Sequence, residues 1–134
     1  MTVELVRDRL ERGASVVVVA SATASLVTEK MKIGYHVAKA GLIQLARYYA
    51  VMLGDGVRVN AVCPGTFVKP ENAAHFRDDP DEAARLARAS PLGRMLDARE
   101  VAEVILFLLS DQASNGSLAG AGLRRDERHQ RAAF

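Results

Sequence analysis

Apolar and polar positions change period several times along these 134 residues, and each change marks an element. Val3, Leu5, Val6 and Leu10 recur among charges at helical spacing, which predicts a helix over Val3 to Arg12 ended by Gly13. Val16 to Ala20 is a continuous run flanked by Ser15 and Ser21, as expected of a strand buried on both faces. A polar loop follows, from about Ser21 to Ile33. From about Gly34 to Leu53 the pattern is helical again, and Gly54-Asp55-Gly56 stops it. The apolar positions of this helix, among them Val37, Leu42, Leu45, Tyr49 and Val51, cover more than one stripe. Such a helix should be buried on two sides, one against the sheet and one against another subunit. Val57 to Val62 is the second strand.

Strand, long crossover helix and strand together predict a parallel βαβ unit, right-handed as nearly all such units are. Further on, Asp79 to Ala89 reads as a short charged helix. Asp97 has the position of an N-cap, with Glu100 as its capping-box partner. The helix opened there packs Val101, Val104, Ile105, Leu108 and Leu109, and after Asp111 the apolar period disappears. There is no internal repeat and no long linker.

Composition narrows the class without naming a function. A formal net charge of +2, with 49% hydrophobic and 25% charged residues, is that of an ordinary soluble globular domain. No apolar stretch approaches the roughly 20 residues that span a bilayer. Met1-Thr2-Val3-Glu4-Leu5 has no basic segment leading into an apolar one, so no secretory signal and no membrane association are expected. The single cysteine, Cys63, cannot form an internal disulfide, which fits a reducing cytoplasm; at the end of an apolar strand it reads as a buried, inert thiol. The charge is too small to suggest nucleic acid. Arg124, Arg125, Arg128 and Arg131 read as a solvated tail, with an anion-binding arm as the minority alternative. His36, His75 and His129 have no ligand partners at metal-binding spacing, so no metal is expected.

The candidate chemistry lies in Tyr35 and Lys39. Residues four apart stand on one face of a helix, and a cation beside a phenol favours its charged form. A phenol so placed can donate a proton to a carbonyl or take one from an alcohol. Alone, the spacing occurs by chance in many helices, and Tyr35 could equally be a half-buried helix tyrosine and Lys39 a surface lysine. The surrounding blocks distinguish it. Val16-Val17-Val18-Val19-Ala20-Ser21, Tyr35-His36-Val37-Ala38-Lys39-Ala40-Gly41, Val57-Arg58-Val59-Asn60-Ala61-Val62-Cys63-Pro64-Gly65, Pro91-Leu92-Gly93-Arg94-Met95 and Phe107-Leu108-Leu109-Ser110-Asp111 stand in one order. That series resembles the carboxyl-terminal half of a classical short-chain dehydrogenase/reductase, from about the first residue to about Ser114.

The resemblance implies an α/β fold: a partial Rossmann-like, doubly wound parallel sheet comprising the βαβ unit and its flanking helices. Residues 1–115 would be that half-domain and 116–134 a poorly ordered tail outside the family pattern. It implies NAD or NADP as cofactor, a small carbonyl or alcohol substrate, and a homo-oligomer. Tyr35 would be the catalytic acid/base. Lys39 would tune it and hydrogen-bond the nicotinamide ribose. Ser21 would polarise the substrate oxygen, although it lies one residue further from Tyr35 than the family's serine, and Ala22 holds that register. A one-residue insertion would rescue Ser21; Thr23 and Ser25 are the weaker substitutes. Asn60 matches a strand asparagine whose role is more structural than catalytic. Pro64 and Gly65 would bring backbone close to the nicotinamide, with Thr66, Phe67 and Val68 continuing the contact. Where the family has a threonine that touches the carboxamide, this chain has Lys69. The region around Glu71 to Ala89 corresponds to the substrate lid.

Two departures shape the functional expectation. No glycine-rich phosphate turn follows a strand, and the Gly116-to-Arg125 segment replaces the family's last strand. The amino-terminal half and last strand are therefore expected to be missing, leaving strand edges open and the fold marginally stable or dependent on a partner. Two readings stand. The first is an NAD(P)-dependent oxidoreductase acting on carbonyls or secondary alcohols. The second is a truncated, non-catalytic module that keeps the oligomer-forming helices and binds no dinucleotide alone, the behaviour expected of the chain as it stands.

Overall fold

The computed structural model describes residues 9–53 and 56–116. Most of the helix expected over Val3 to Arg12, the Gly54-Asp55 part of the helix stop, and the tail from residue 117 onward lie outside the described residues. The ordered elements are β1 (Ser15–Val19), a 3₁₀ turn (Ala22–Ala24), α1 (Ile33–Met52), β2 (Arg58–Val62), β3 (Phe67–Val68), α2 (Pro70–Asp78), α3 (Pro80–Ala89), β4 (Leu96–Asp97), α4 (Ala98–Leu109) and a second 3₁₀ turn (Asp111–Ala113).

β1 and β2 pair in parallel with Ser15 opposite Arg58 and Val19 opposite Val62, and α1 is the crossover between them. The βαβ unit and the partial Rossmann-like α/β class are thus present. Gly13 (φ +95°) and Gly56 (φ +91°) occupy the left-handed region that glycine adopts without steric cost, and the Gly13 N–H donates to the Gly56 carbonyl at 2.6 Å. This bond fastens the turn before β1 to the turn before β2 and aligns the strands from their amino ends.

The core gathers Ala46, Tyr49 and Ala50 of α1 with Val57 and Val59; Leu10, Val16, Val18 and Leu45 pack against it. Small residues on α1 let the helix sit close to the strands, and Val59 is wholly buried beneath it. β1 is not buried on both faces as its run of valines suggested: its residues are half-buried, and Val19 is 43% exposed. Among the described residues β1 has one strand neighbour, and a continuous apolar run gains full burial only with neighbours on every side. Cys63 is exposed rather than buried, because it stands just past the end of β2 where the chain leaves the sheet.

Arg58 closes the far side. Its guanidinium donates to the carbonyls of Leu108 (2.8 Å), Ala113 (2.9 Å) and Ser110 (2.9 Å), and the Ser15 hydroxyl also donates to Leu108 (2.9 Å). The Ser110 and Ala113 carbonyls also accept from the Ala113 and Gly116 N–H groups, so the fork adds to the turn bonds beyond α4 and fastens α4 to both strands. At the other end of α4, Asp97 and Glu100 form the expected capping box. Among the elements not foreseen are α2, opened by Pro70, and the short strands β3 and β4, whose pairing joins Phe67 to Leu96 and Val68 to Asp97. Two-residue strands carry no period that could announce them.

Candidate active site

The first turn of α1 carries Tyr35. The N-cap residue, Lys32, makes no side-chain capping bond. His36 supplies a local tie instead, with Nδ1 3.2 Å from the Lys32 carbonyl and Nε2 accepting from the Thr28 N–H at 3.2 Å. Both contacts fit an imidazole protonated at Nδ1. The ring thereby holds the loop after β1 against the turn that presents Tyr35, a placement that sequence spacing had not indicated.

Lys39 stands one turn further along. Its ammonium lies 5.7 Å from the centre of the Tyr35 ring and donates to the Val19 carbonyl at 3.2 Å. The first distance is within cation–π range, and the second anchors the charge at the carboxyl end of β1. Tyr35 itself is 41% exposed. The helical register and the strand end together put a phenol, an ammonium and solvent access in one place.

Ser21 begins two residues after that strand end. Its Oγ caps the 3₁₀ turn, accepting from the Thr23 N–H at 3.2 Å and the Thr23 hydroxyl at 2.9 Å. The Ala20 N–H donates to the Val62 carbonyl at 2.8 Å, and the Ala22 N–H donates to the Pro64 carbonyl at 2.9 Å. The chain segments leaving β1 and β2 therefore run together past the sheet, so Ser21, Lys39 and Pro64 meet at the carboxyl ends of the strands. Open parallel sheets bind ligands at this end. Ser-x-Thr at the start of a short turn was the signal that could have paired Thr23 with Ser21, since such hydroxyls cap nearby backbone.

Gly65 faces open space: a side chain there would meet nothing within 4 Å, so a flat ring could approach the backbone. Beyond it the chain turns into β3. The Thr66 carbonyl accepts from the Leu96 N–H at 3.1 Å and the Phe67 carbonyl from Asn72 Nδ2 at 3.1 Å, so part of the backbone at Thr66 and Phe67 is committed to its own fold. Asn60 is buried and donates from Nδ2 to the Gly116 carbonyl at 2.8 Å, a structural contact. Among the described residues no glycine-rich turn joins a strand to a helix start. The described residues therefore supply no cradle for the pyrophosphate of a dinucleotide.

Two ion-pair groups border the site. Glu82 of α3 meets Lys30 at 2.5 Å, His75 of α2 at 3.1 Å and Arg85 at 3.3 Å. Lys30 lies in the loop that leads into α1, so this cluster ties the α2–α3 hairpin to the segment just before Tyr35. The Lys30 hydrogen bond is the main cause holding the Glu82 carboxyl below the usual carboxylate range, partial desolvation opposing it. Arg94 grips Glu100 with two bonds of 2.7 Å. This fork, with the Asp97 N–H, holds the Glu100 carboxyl at about 2.

Comparison with known proteins places the chain in a family. A family model described as Enoyl-(Acyl carrier protein) reductase matches residues 1–121. The chain is similar to Oxidoreductase UcpA of Salmonella typhimurium, at 35% identity over 109 residues that make up 77% of this chain and 41% of that protein. It is also similar to 2-(S)-hydroxypropyl-CoM dehydrogenase 3 of Xanthobacter autotrophicus, at 37% identity, covering 78% of this chain and 43% of the other. The crystal structure of a short chain dehydrogenase family protein from Francisella tularensis superposes with a TM-score of 0.75 and 26% identity, over 87% of this chain and 51% of that one. The chain spans less than half the length of these two curated relatives.

Proposed function

Because the chain belongs to the short-chain dehydrogenase/reductase family, we propose that it serves an oxidoreductase that transfers a hydride between NAD(H) or NADP(H) and a carbonyl or secondary alcohol. The observation that carries this reading is the position of the Lys39 ammonium, 5.7 Å from the Tyr35 ring and bonded to the last residue of β1. Tyr35 gives its hydroxyl proton to the substrate oxygen in reduction and takes it back in oxidation. Lys39 stabilises the negative charge that develops on the phenol oxygen. Ser21 donates a hydrogen bond to the substrate oxygen. The nicotinamide, when bound, supplies or accepts the hydride. Lys39 with Tyr35, the open face of Gly65, and the backbone at Pro64, Thr66, Phe67 and Val68 are the groups that would hold its ring and ribose. Assembly as a homo-oligomer and a reducing, cytoplasmic setting complete the proposal; the lone free Cys63 supports the latter.

A second reading is favoured by apolar residues left at the surface of both long helices, among them Val37, Tyr48, Leu106 and Phe107. In it the chain contributes helical faces to an assembly and binds no dinucleotide itself. One experiment separates the readings: fluorescence titration of the purified chain with NADH and NADPH, followed by carbonyl reduction by wild type and Tyr35→Phe. The oxidoreductase reading expects saturable binding and turnover that Tyr35→Phe lowers by at least about a hundredfold, the lower end for general acid–base catalysis. A folded chain that binds neither dinucleotide favours the second reading, and turnover indifferent to Tyr35→Phe overturns the first.

A further inference from the structure

The two hydroxyls that flank Ala22 are bonded to one another, and their arrangement determines what Ser21 can offer a ligand. A hydroxyl oxygen has two lone pairs and one proton. The Thr23 N–H and the Thr23 hydroxyl, at 3.2 and 2.9 Å, supply donors for both lone pairs of Ser21 Oγ. Only the Ser21 proton is left to face outward. A hydroxyl already accepting two hydrogen bonds is also polarised into a better donor. We infer that Thr23 is a positioning residue that makes Ser21 a one-way hydrogen-bond donor, and that the group received there is a carbonyl or alcohol oxygen carrying a small apolar arm.

The second half of the inference follows from where Thr23 stands. It lines a shallow hollow of about 250 Å³ together with Leu26, Val27, His36 and Val37. His36 and Val37 directly follow Tyr35, so the hollow borders the turn that presents the phenol. Its walls are largely aliphatic, which suits a short alkyl or alicyclic substituent better than a charged one. Thr23 also explains how the site tolerates Ala22 in the register expected of a serine: the hydroxyl comes from the neighbouring residue, and the 3₁₀ turn with its threonine aims it.

This inference rests on the oxidoreductase reading, and its test keeps the two apart. Cyclohexanone is the probe, offered with NADH or NADPH to wild type, Thr23→Val, Thr23→Ser and Tyr35→Phe. Thr23→Val keeps the branched shape and removes the hydroxyl. It should lower kcat roughly tenfold, as loss of one hydrogen bond felt mainly in the transition state does, with KM within about twofold. Thr23→Ser should restore turnover, which a purely structural role of the methyl group would not allow. Independently of turnover, NMR of the wild-type chain titrated with cyclohexanone should shift the Thr23 methyl and the Tyr35 ring together. This second measurement stands if Thr23→Val fails to fold. Wild-type kcat in Thr23→Val, or a Tyr35 ring that shifts while the Thr23 methyl does not, overturns the positioning role and leaves the oxidoreductase reading intact. Absence of both turnover and any Tyr35 shift overturns the reading and this inference with it.

Discussion

Single residues in this protein act through what lies at the far end of their hydrogen bonds. Arg58 shows it best. In the sequence it is one charge at the start of an apolar strand, yet its guanidinium satisfies three carbonyls at and beyond the end of α4. Replacing it by Met keeps much of the aliphatic stem and removes the charged donor, while Leu108 keeps Ser15 and Ser110 and Ala113 keep their turn N–H donors. The expected cost is about 2–3 kcal/mol, within the range for hydrogen bonds to charged groups, read as a lower midpoint in urea unfolding with an unchanged slope. A midpoint within error of wild type would show that water replaces the guanidinium freely. Tyr35 and Lys39 were legible in the sequence because four residues along a helix is a local relation that the backbone imposes. The Thr23–Ser21 bond, though nearly as local, was not, because hydroxyl partners depend on how the turn after β1 is built.

At the scale of elements, caps and clamps decide where helices begin and what they touch. The capping box at Asp97 was readable, since its two residues lie three apart, and the structure adds Arg94 as a second grip on Glu100. The Glu100 carboxyl is held at about 2, below the ordinary 4.5. A lowered folded value means that the stabilisation is present above pH 4.5 and is lost as pH falls from there toward 2. Thermal melts should therefore lose midpoint across that window more steeply in wild type than in Glu100→Gln, and parallel curves would remove Glu100 as a cause. The Glu82 cluster joins residues 52 positions apart, a relation no local pattern contains. Glu82→Gln should loosen the α2–α3 hairpin. Amide exchange over residues 70–89 is expected to quicken at neutral pH while β1 and β2 keep their protection, and acidification below the usual carboxylate range should do the same in wild type. Equal protection of the hairpin in both proteins would dismiss the clamp.

The described residues place a core beneath one face of α1 in the βαβ unit and leave apolar residues on the surface of both long helices. Tyr48 is 53% exposed and Met52 38%, on the side of α1 away from the buried Ala46 and Ala50. In the proposed homo-oligomer, exposed apolar residues grouped on one helix are the surface that another copy would cover. Tyr48→Glu should shift the chain toward monomer in sedimentation velocity at a fixed concentration, and an unchanged distribution would exclude this face of α1 from the association. By itself the sequence determined β1, β2, the crossover helix, the cap of α4 and the Tyr35–Lys39 relation, because each follows from periodicity or from residues a turn apart. Only the tertiary structure decided that β1 is half-exposed, that Cys63 meets solvent, and that Arg58, Asn60 and Glu82 each bind distant segments. Burial and long-range hydrogen bonds depend on which surfaces the folded chain brings face to face, and no spacing along the chain records that.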